Sequence, residues 1–167
     1  MGKNYQNGDG EVRIVCFTGH RRIAHEATER LPELLEKTIA ELCSRGATIF
    51  RAGGAMGFDT LAALIVLEMK KEFSQIRLEL VLPCRDQTKD WDEISRRTYH
   101  YIMQKADCCR FLFDSYFEGC MLERDRQLVD GSDVCVAYCA HSQGGTAYTY
   151  TLAMRDGLEI INLHDLI

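Results

Sequence analysis

The chain has 167 residues, of which 46% are hydrophobic, and a formal net charge of −5 at neutral pH. This size and composition favour one globular domain with an ordinary core, and no stretch approaches the roughly 18 consecutive apolar residues of a membrane span. The negative charge disfavours broad attraction to a nucleic-acid backbone, so we expect neither a membrane nor a nucleic-acid partner.

Residues 1–11 are polar and rich in glycine and asparagine, without the apolar core of a signal peptide. We expect them to be a flexible lead-in to a single domain over residues 12–167. The eight cysteines fall within apolar runs or helical patterns, which favours free thiols and a reducing, cytoplasmic location. Cys135, Cys139 and His141 have the side chains of a metal site but no second cluster, so we predict no metal.

Strand and helix patterns alternate through the first half of the chain. Residues 13–18 form a predicted strand, and apolar residues from Leu31 to Leu42 recur at helical spacing before Gly46 ends the helix. Residues 48–52 predict a second strand. Residues 58–73 are so apolar that the helix they predict must be largely buried.

The same alternation continues to the end of the chain. Strands are predicted over residues 78–83, 108–113, 134–138 and 159–163, and helices over residues 91–106, 116–130 and 146–155. Strict alternation is typical of a mostly parallel sheet with helices on both faces. The predicted fold class is therefore α/β, a Rossmann-like three-layer α/β/α sandwich.

In such sheets a ligand binds beyond the carboxyl ends of the strands, where the strand order reverses. For the common strand order 3-2-1-4-5, the first and fourth strands flank that point. The loop of residues 19–22 would then lie beside the start of the fourth helix. Three glycine-bearing loops, around residues 19, 53 and 144, follow strands at this edge.

The first loop contains Thr18, Gly19, His20 and Arg21. It combines a hydroxyl, a flexible backbone position and groups that carry or can gain positive charge, which suits an anionic ligand. The alternative is that the arginine is solvated and His20 only packs.

The second loop contains Gly53, Gly54 and Asp59. It lacks both the glycine spacing of a dinucleotide site and the lysine of a triphosphate-binding loop. Asp59 either caps the second helix or holds a ribose hydroxyl. Trp91, which starts the third predicted helix, is either a core residue or a platform for a base.

The third loop contains Gly144, Gly145 and Thr146 and opens the last long helix. Its backbone amides and the threonine hydroxyl could bind a phosphate, because the first amides of a helix have no partner within the helix. The alternative is a tight turn that needs glycine for steric reasons alone.

Arg124 falls on the apolar stripe of the fourth helix, at helical spacing from Met121 and Leu128. A guanidinium there needs a partner, because an unpaired buried charge costs several kcal/mol. That partner is either the anionic group of a ligand or a nearby carboxylate, namely Glu123, Asp125 or Asp130.

Residues 52–59 resemble the glycine-Asp loop of the DNA-processing protein A (DprA/Smf) family. Residues 121–124 and 144–146 resemble the paired motifs of the Lonely Guy (LOG) family. Both families belong to the SLOG superfamily, and the ordered set over residues 13–163 is most similar to its YpsA-like branch. The resemblance implies a SLOG-type Rossmann-like domain that binds a nucleotide or NAD-derived ligand, such as ADP-ribose, as a sensor or binding module that requires no cofactor.

The resemblance also implies two alternatives and a possible homodimer. LOG enzymes hydrolyse the N-glycosidic bond of a nucleoside monophosphate with an Arg and a Glu. The Arg matches Arg124, but the Glu position falls at about Tyr150, so the catalytic residues of such a hydrolase stay unassigned here. The DprA likeness implies single-stranded nucleic-acid binding. The homodimer is expected because the apolar second helix leaves surface to bury.

Overall fold

The structure is a computed structural model that describes residues 11–167. All of the predicted lead-in except Glu11 lies outside the described residues. Within them, strands and helices alternate as predicted, with short 3-10 helices at His25–Ala27 and Leu163–Leu166. The strands are β1 Ile14–Gly19, β2 Ile49–Ala52, β3 Arg77–Cys84, β4 Cys108–Phe113, β5 Val134–Tyr138 and β6 Glu159–Asn162. The helices are α1 Arg30–Ser44, α2 Phe58–Met69, α3 Glu93–Lys105, α4 Cys120–Val129 and α5 Gly145–Arg155.

The six strands form one parallel sheet in the order β4-β3-β2-β1-β5-β6. The α/β prediction is confirmed, but the strand order 3-2-1-4-5 is wrong. β4 pairs with β3 at the edge, and β1 pairs with β5. The point where the order reverses therefore lies between β1 and β5.

Helices cover both faces of the sheet. Because the chain moves in one direction from β1 to β4 and then returns, right-handed connections place α1 to α3 on one face and α4 and α5 on the other. Side chains alternate accordingly along β1. Val15 and Phe17 belong to the larger core cluster, whereas Cys16 packs in the smaller cluster with Leu128 of α4 and Ala153 of α5.

α2 packs against α1, α3 and the first three strands. Its apolar character is thus explained within one chain, and the homodimer stays a prediction. α4 begins later than predicted, at Cys120, because Gly119 before it adopts a left-handed backbone with φ of 96°. Over residues 11–167, none of the helices has both the length and the apolar character needed to cross a bilayer.

Candidate ligand-binding cleft

A cleft of about 360 Å³ opens where the strand order reverses, beyond the ends of β1 and β5. Its volume lies within the usual range of small-molecule sites. The cleft is formed by the loop after β1, the loop before α2, one face of α4 and the start of α5. Its lining residues are Phe17, Thr18, Gly19, His20, Arg21, Ala55, Asp59, Met121, Leu122, Arg124, Asp125, Leu128, Gly145 and Thr146.

The structure brings together eight of the eleven residues that the sequence indicated for the ligand. The expected approach of the first loop to the start of α4 is present although the strand order differs, because α4 returns across the sheet from β4 to β5. Gly53, Gly54 and Gly144 are not among the lining residues. Six further lining residues were not indicated for the ligand, although Asp125 was considered as a partner of Arg124: Phe17, Ala55, Met121, Leu122, Asp125 and Leu128.

The glycines around the first loop are explained by packing inside the protein. A side chain at Gly19 would overlap the ring of Phe58, the first residue of α2. A side chain at Gly57 would overlap the backbone of Arg21, and Gly57 also has a φ of 80°. These glycines let the first loop and the start of α2 lie against each other.

The second glycine loop is also explained by packing. A Cβ atom at Gly53 would lie 2.6 Å from a terminal nitrogen of Arg124. A Cβ atom at Gly54, which has a φ of 71°, would overlap the side chain of Leu82. Gly54 therefore faces β3 and the protein interior, and does not face the cleft.

The start of α5 differs from the other two loops. The φ of Gly145 is not positive. Apart from its chain neighbours and the backbone of its own helix, no described residue has a heavy atom within 4 Å of a Cβ atom built at Gly145. Gly144 also has open space, although its φ of 97° itself favours glycine. Among the described residues, no side chain caps this helix. The backbone amides at its start are therefore open to an anion, since their intrahelical partners are missing.

Two threonine hydroxyls flank this helix start. Thr18, at the end of β1, is only 7% exposed, and Thr146 is half-buried. Both line the cleft, and neither hydroxyl has a hydrogen-bond partner within residues 11–167. An unpartnered hydroxyl in a cleft is a ready donor to a phosphate oxygen.

Arg124 is held by two groups of the protein. Its Nε donates to Asp125 at 2.8 Å, and one terminal nitrogen donates to the carbonyl oxygen of Gly53 at 2.5 Å. The partner expected from the sequence is therefore a neighbouring carboxylate, Asp125. These bonds use two of the three guanidinium nitrogens, which leaves the third for a ligand.

Asp59 is a second buried carboxylate in the cleft, 5% exposed. It does not cap α2; its Oδ2 accepts a hydrogen bond from the backbone N–H of Ala55 at 3.3 Å. Burial raises the pKa of Asp59 to about 6, against the opposing influence of Arg124 and of the Ala55 N–H. Burial also raises the pKa of Asp125. One guanidinium thus faces two carboxylates in this cluster.

The other candidate residues lie elsewhere. Trp91 packs against the larger core cluster, with its ring 5.5 Å from that of Tyr99, so it is a core residue. Cys135 is fully buried, and the thiol of Cys139 donates to the backbone carbonyl of His141. The absence of a metal stays a prediction.

Comparisons with known proteins place the chain in a family. The family model described as the YspA SLOG family (YpsA) matches residues 16–161. A UPF0398 protein of Halalkalibacterium halodurans is 27% identical over 171 aligned positions, which cover 93% of this chain and 90% of the relative. A UPF0398 protein of Bacillus cereus is 23% identical, over 92% of this chain and 88% of the relative.

Two solved structures share the fold. DNA processing protein A of Streptococcus pneumoniae matches 89% of this chain with a TM-score of 0.64 and 16% identity, but only 49% of its own length is covered. DNA processing protein A of Helicobacter pylori matches with a TM-score of 0.63 and 21% identity. The match covers 90% of this chain and 64% of the H. pylori chain, whose structure is described as showing its single-stranded DNA binding mode. The fold of this chain agrees with the fold of these two structures. Because the family model matches most of its length, the chain belongs to the YspA SLOG family.

Proposed function

We propose that this SLOG domain binds a nucleotide or an NAD-derived ligand such as ADP-ribose, with a phosphate at the start of α5. The observation that carries the proposal is Gly145. Within the described residues, neither its backbone conformation nor its neighbours require glycine, whereas a ligand that approaches the backbone closely does. The other glycine that lines the cleft, Gly19, is accounted for by packing against Phe58, so Gly145 is the cleft glycine that a bound ligand would explain.

The remaining groups fit a phosphorylated ligand. The hydroxyls of Thr18 and Thr146 would donate to phosphate oxygens, together with the first amides of α5. Arg21 is exposed and lines the cleft, so it would supply positive charge at the mouth. Met121 and Leu122 give an apolar wall for a base or ribose. The domain would act as a sensor or binding module without a further cofactor.

Binding can be tested by thermal unfolding and calorimetry with AMP, ADP-ribose and NAD. A ligand at about 100 times its dissociation constant adds roughly 2.7 kcal/mol of stability. In Gly145→Ala the new methyl group occupies the ligand's space, so we expect at least a tenfold loss of affinity, about 1.4 kcal/mol. Without ligand this variant should be at least as stable as the wild type, because the methyl group meets no described atom beyond its own helix and chain neighbours and alanine favours a helix over glycine.

A matched pair of threonines controls for nonspecific effects on α5. Thr146→Val removes a hydroxyl that lines the cleft, whereas Thr151→Val removes an exposed hydroxyl further along the same helix. We expect Thr146→Val to weaken binding about fivefold, the worth of one hydrogen bond, and Thr151→Val to leave it unchanged. The proposal is wrong if no nucleotide stabilises the wild type, or if both variants bind like it.

A hydrolase that cleaves the N-glycosidic bond of the same ligand is the second candidate. It is favoured by Asp59, whose buried carboxyl has its pKa raised to about 6 and lines the cleft, as a general acid requires. Tyr150, at the position expected for the LOG glutamate, packs against the smaller core cluster. Chromatography of each ligand mixture for free base decides this point. Release of base by the wild type, lost in Asp59→Asn with binding retained, would establish the enzyme.

Single-stranded DNA is the third candidate ligand, because the H. pylori neighbour is described as binding it. At 21% identity that likeness supports the fold alone, and the net charge of −5 opposes a salt-dependent backbone contact. An oligonucleotide belongs in the same titration. Stabilisation by the oligonucleotide and by no mononucleotide would replace the small-ligand proposal.

A further inference from the structure

His20 connects three segments that surround the cleft. Its backbone N–H donates to the carbonyl oxygen of Tyr138 in β5, and its own carbonyl oxygen accepts from the N–H of Phe58 at the start of α2. Its side-chain Nε2 accepts a hydrogen bond of 2.8 Å from the backbone N–H of Ala140. We call this last bond, between Ala140 N–H and His20 Nε2, the His20 latch.

The latch acts on the segment that leads into α5. Ala140 lies between the end of β5 and Gly144, the residue before the helix. Gly144 has a φ of 97°, and no atom beyond its chain neighbours lies within 4 Å of a Cβ atom built there, so packing at this residue does not hold the segment in place. The position of Ala140 therefore helps to set where the first amides of α5 point. A loosened segment would have to be ordered again when a ligand binds, at a cost in affinity.

The chemistry of the latch depends on the protonation of the ring. An imidazole nitrogen that accepts a hydrogen bond carries no proton, so the neutral ring has its proton on Nδ1. A protonated imidazole has two N–H donors and no acceptor, and Ala140 N–H would then face a donor. We propose that His20 is a positioning residue for the phosphate-binding start of α5, and that protonation of its ring breaks the latch and weakens ligand binding. This inference rests on the proposed function.

Burial and two neighbouring histidines favour the neutral ring of His20, and therefore the closed latch. The ring of His141, in the loop after β5, lies 4.8 Å from that of His20, and the ring of Tyr138 lies 5.8 Å away. His164 follows β6, and Arg21 and Asp59 line the same cleft. Burial first, and then the two histidines, lower the pKa of His20 below its ordinary value of 6.5.

The latch predicts a pH dependence opposite to that of direct contact. If His20 bound phosphate itself, its protonation would strengthen binding as pH falls. If His20 holds Ala140, protonation weakens binding. ADP-ribose is the suitable probe, because its diphosphate bridge bears no monoester group that titrates near pH 6.

Calorimetry with ADP-ribose at about pH 7.5 and about pH 5 tests the latch. In His20→Gln the amide oxygen can accept from Ala140 at a similar reach but does not titrate, so this variant keeps the pH dependence that comes from Asp59, whose pKa is about 6, and loses the part that comes from His20. At about pH 7.5 the wild type and His20→Gln should bind alike, and at about pH 5 the wild type should bind about fivefold more weakly than His20→Gln, the worth of one hydrogen bond. His20→Ala should bind about fivefold more weakly than His20→Gln at both pH values, and the control His164→Gln should behave like the wild type.

Nitrogen-15 NMR of the histidine rings tests the latch without any ligand. The proton of His20 should reside on Nδ1 at about pH 7.5, and the Ala140 amide should exchange faster with solvent in His20→Ala than in His20→Gln. A proton on Nε2 overturns the latch, whatever binds. A proton on Nδ1 without binding of ADP-ribose supports the latch and counts against the proposed function. Affinity that rises on acidification in the wild type but not in His20→Gln overturns the positioning role.

Discussion

Arg124 of α4 donates a hydrogen bond to the carbonyl oxygen of Gly53, which lies 71 positions earlier in the loop after β2. The same guanidinium pairs with Asp125. The bond to Gly53 ties the second glycine loop to α4, and the pair with Asp125 holds the guanidinium in place. Arg124 is thus part of the cleft's framework before any ligand arrives.

Arg124→Leu should destabilise the fold by about 3–5 kcal/mol at neutral pH, because it leaves Asp59 and Asp125 buried without their cation. The loss should shrink at acid pH, where both carboxyls are protonated. Arg126→Leu is the control, since Arg126 lies on the same helix with a solvent-screened ion pair to Glu123, and this substitution should change stability far less than Arg124→Leu. Urea unfolding measures both. Similar losses in the two variants would contradict this account.

Gly53→Ala should be destabilising, in contrast to Gly145→Ala. The new methyl group would lie 2.6 Å from Arg124 and 3.0 Å from Asp59, so the framework must shift. We expect a loss of about 1–3 kcal/mol, as in other overpacked sites. Thermal unfolding of both variants without ligand provides the measurement. Equal stability of the two would mean that packing does not explain the glycine at position 53.

The inner position of β5 and the edge position of β4 are reflected in the composition of the two strands. All five residues of β5 are buried, as a central strand requires, whereas β4 has exposed Cys108 and Arg110. The apolar sequence of residues 134–138 and the mixed sequence of residues 108–113 already show this difference. The alternation of elements predicted the layers because each β-α unit is local, but it says nothing about which edge receives a strand.

The cleft was only partly predictable for the same reason. Glycine loops at strand ends indicated the edge correctly, since that rule depends on local sequence and chain direction. The contact of Arg124 with Gly53 and the latch of His20 on Ala140 join positions 71 and 120 residues apart. No spacing in the sequence encodes such pairs. The packing reason for Gly54 is likewise visible only once β3 is in place.

Asp133 should be important for stability but not for binding. Its Oδ2 accepts hydrogen bonds from the backbone N–H groups of Arg13 and Ile14, at 3.1 and 3.0 Å, and so fixes the start of β1. Asp133→Ala should cost about 1–3 kcal/mol, and Asp133→Asn less, because the amide oxygen still accepts. The affinity for ADP-ribose should not change, since the cleft lies at the other end of β1. A binding defect in a folded Asp133→Ala protein would contradict this separation.

Asp59 should make the protein less stable as pH rises. In the folded state its pKa is about 6, against an ordinary value of 3.8, with burial as the main cause. Between these values the folded protein holds a proton that the unfolded chain has released, so stability falls as pH increases through this range. Asp59→Asn removes this dependence and keeps an oxygen for the Ala55 N–H. It should therefore be more stable than the wild type at about pH 7.5, by roughly 2–3 kcal/mol, and similar to it at about pH 4.

Asp107→Asn is the control with the opposite sign. Burial alone would raise the pKa of Asp107, but hydrogen bonds from Lys70 and the Leu78 N–H lower it overall. Asp107→Asn should thus be less stable than the wild type at about pH 7.5, with the difference fading at acid pH. Urea unfolding across this range compares the two variants. If Asp59→Asn loses stability at neutral pH as Asp107→Asn does, then Asp59 is a structural partner of Arg124, and the case for a general acid in the cleft fails.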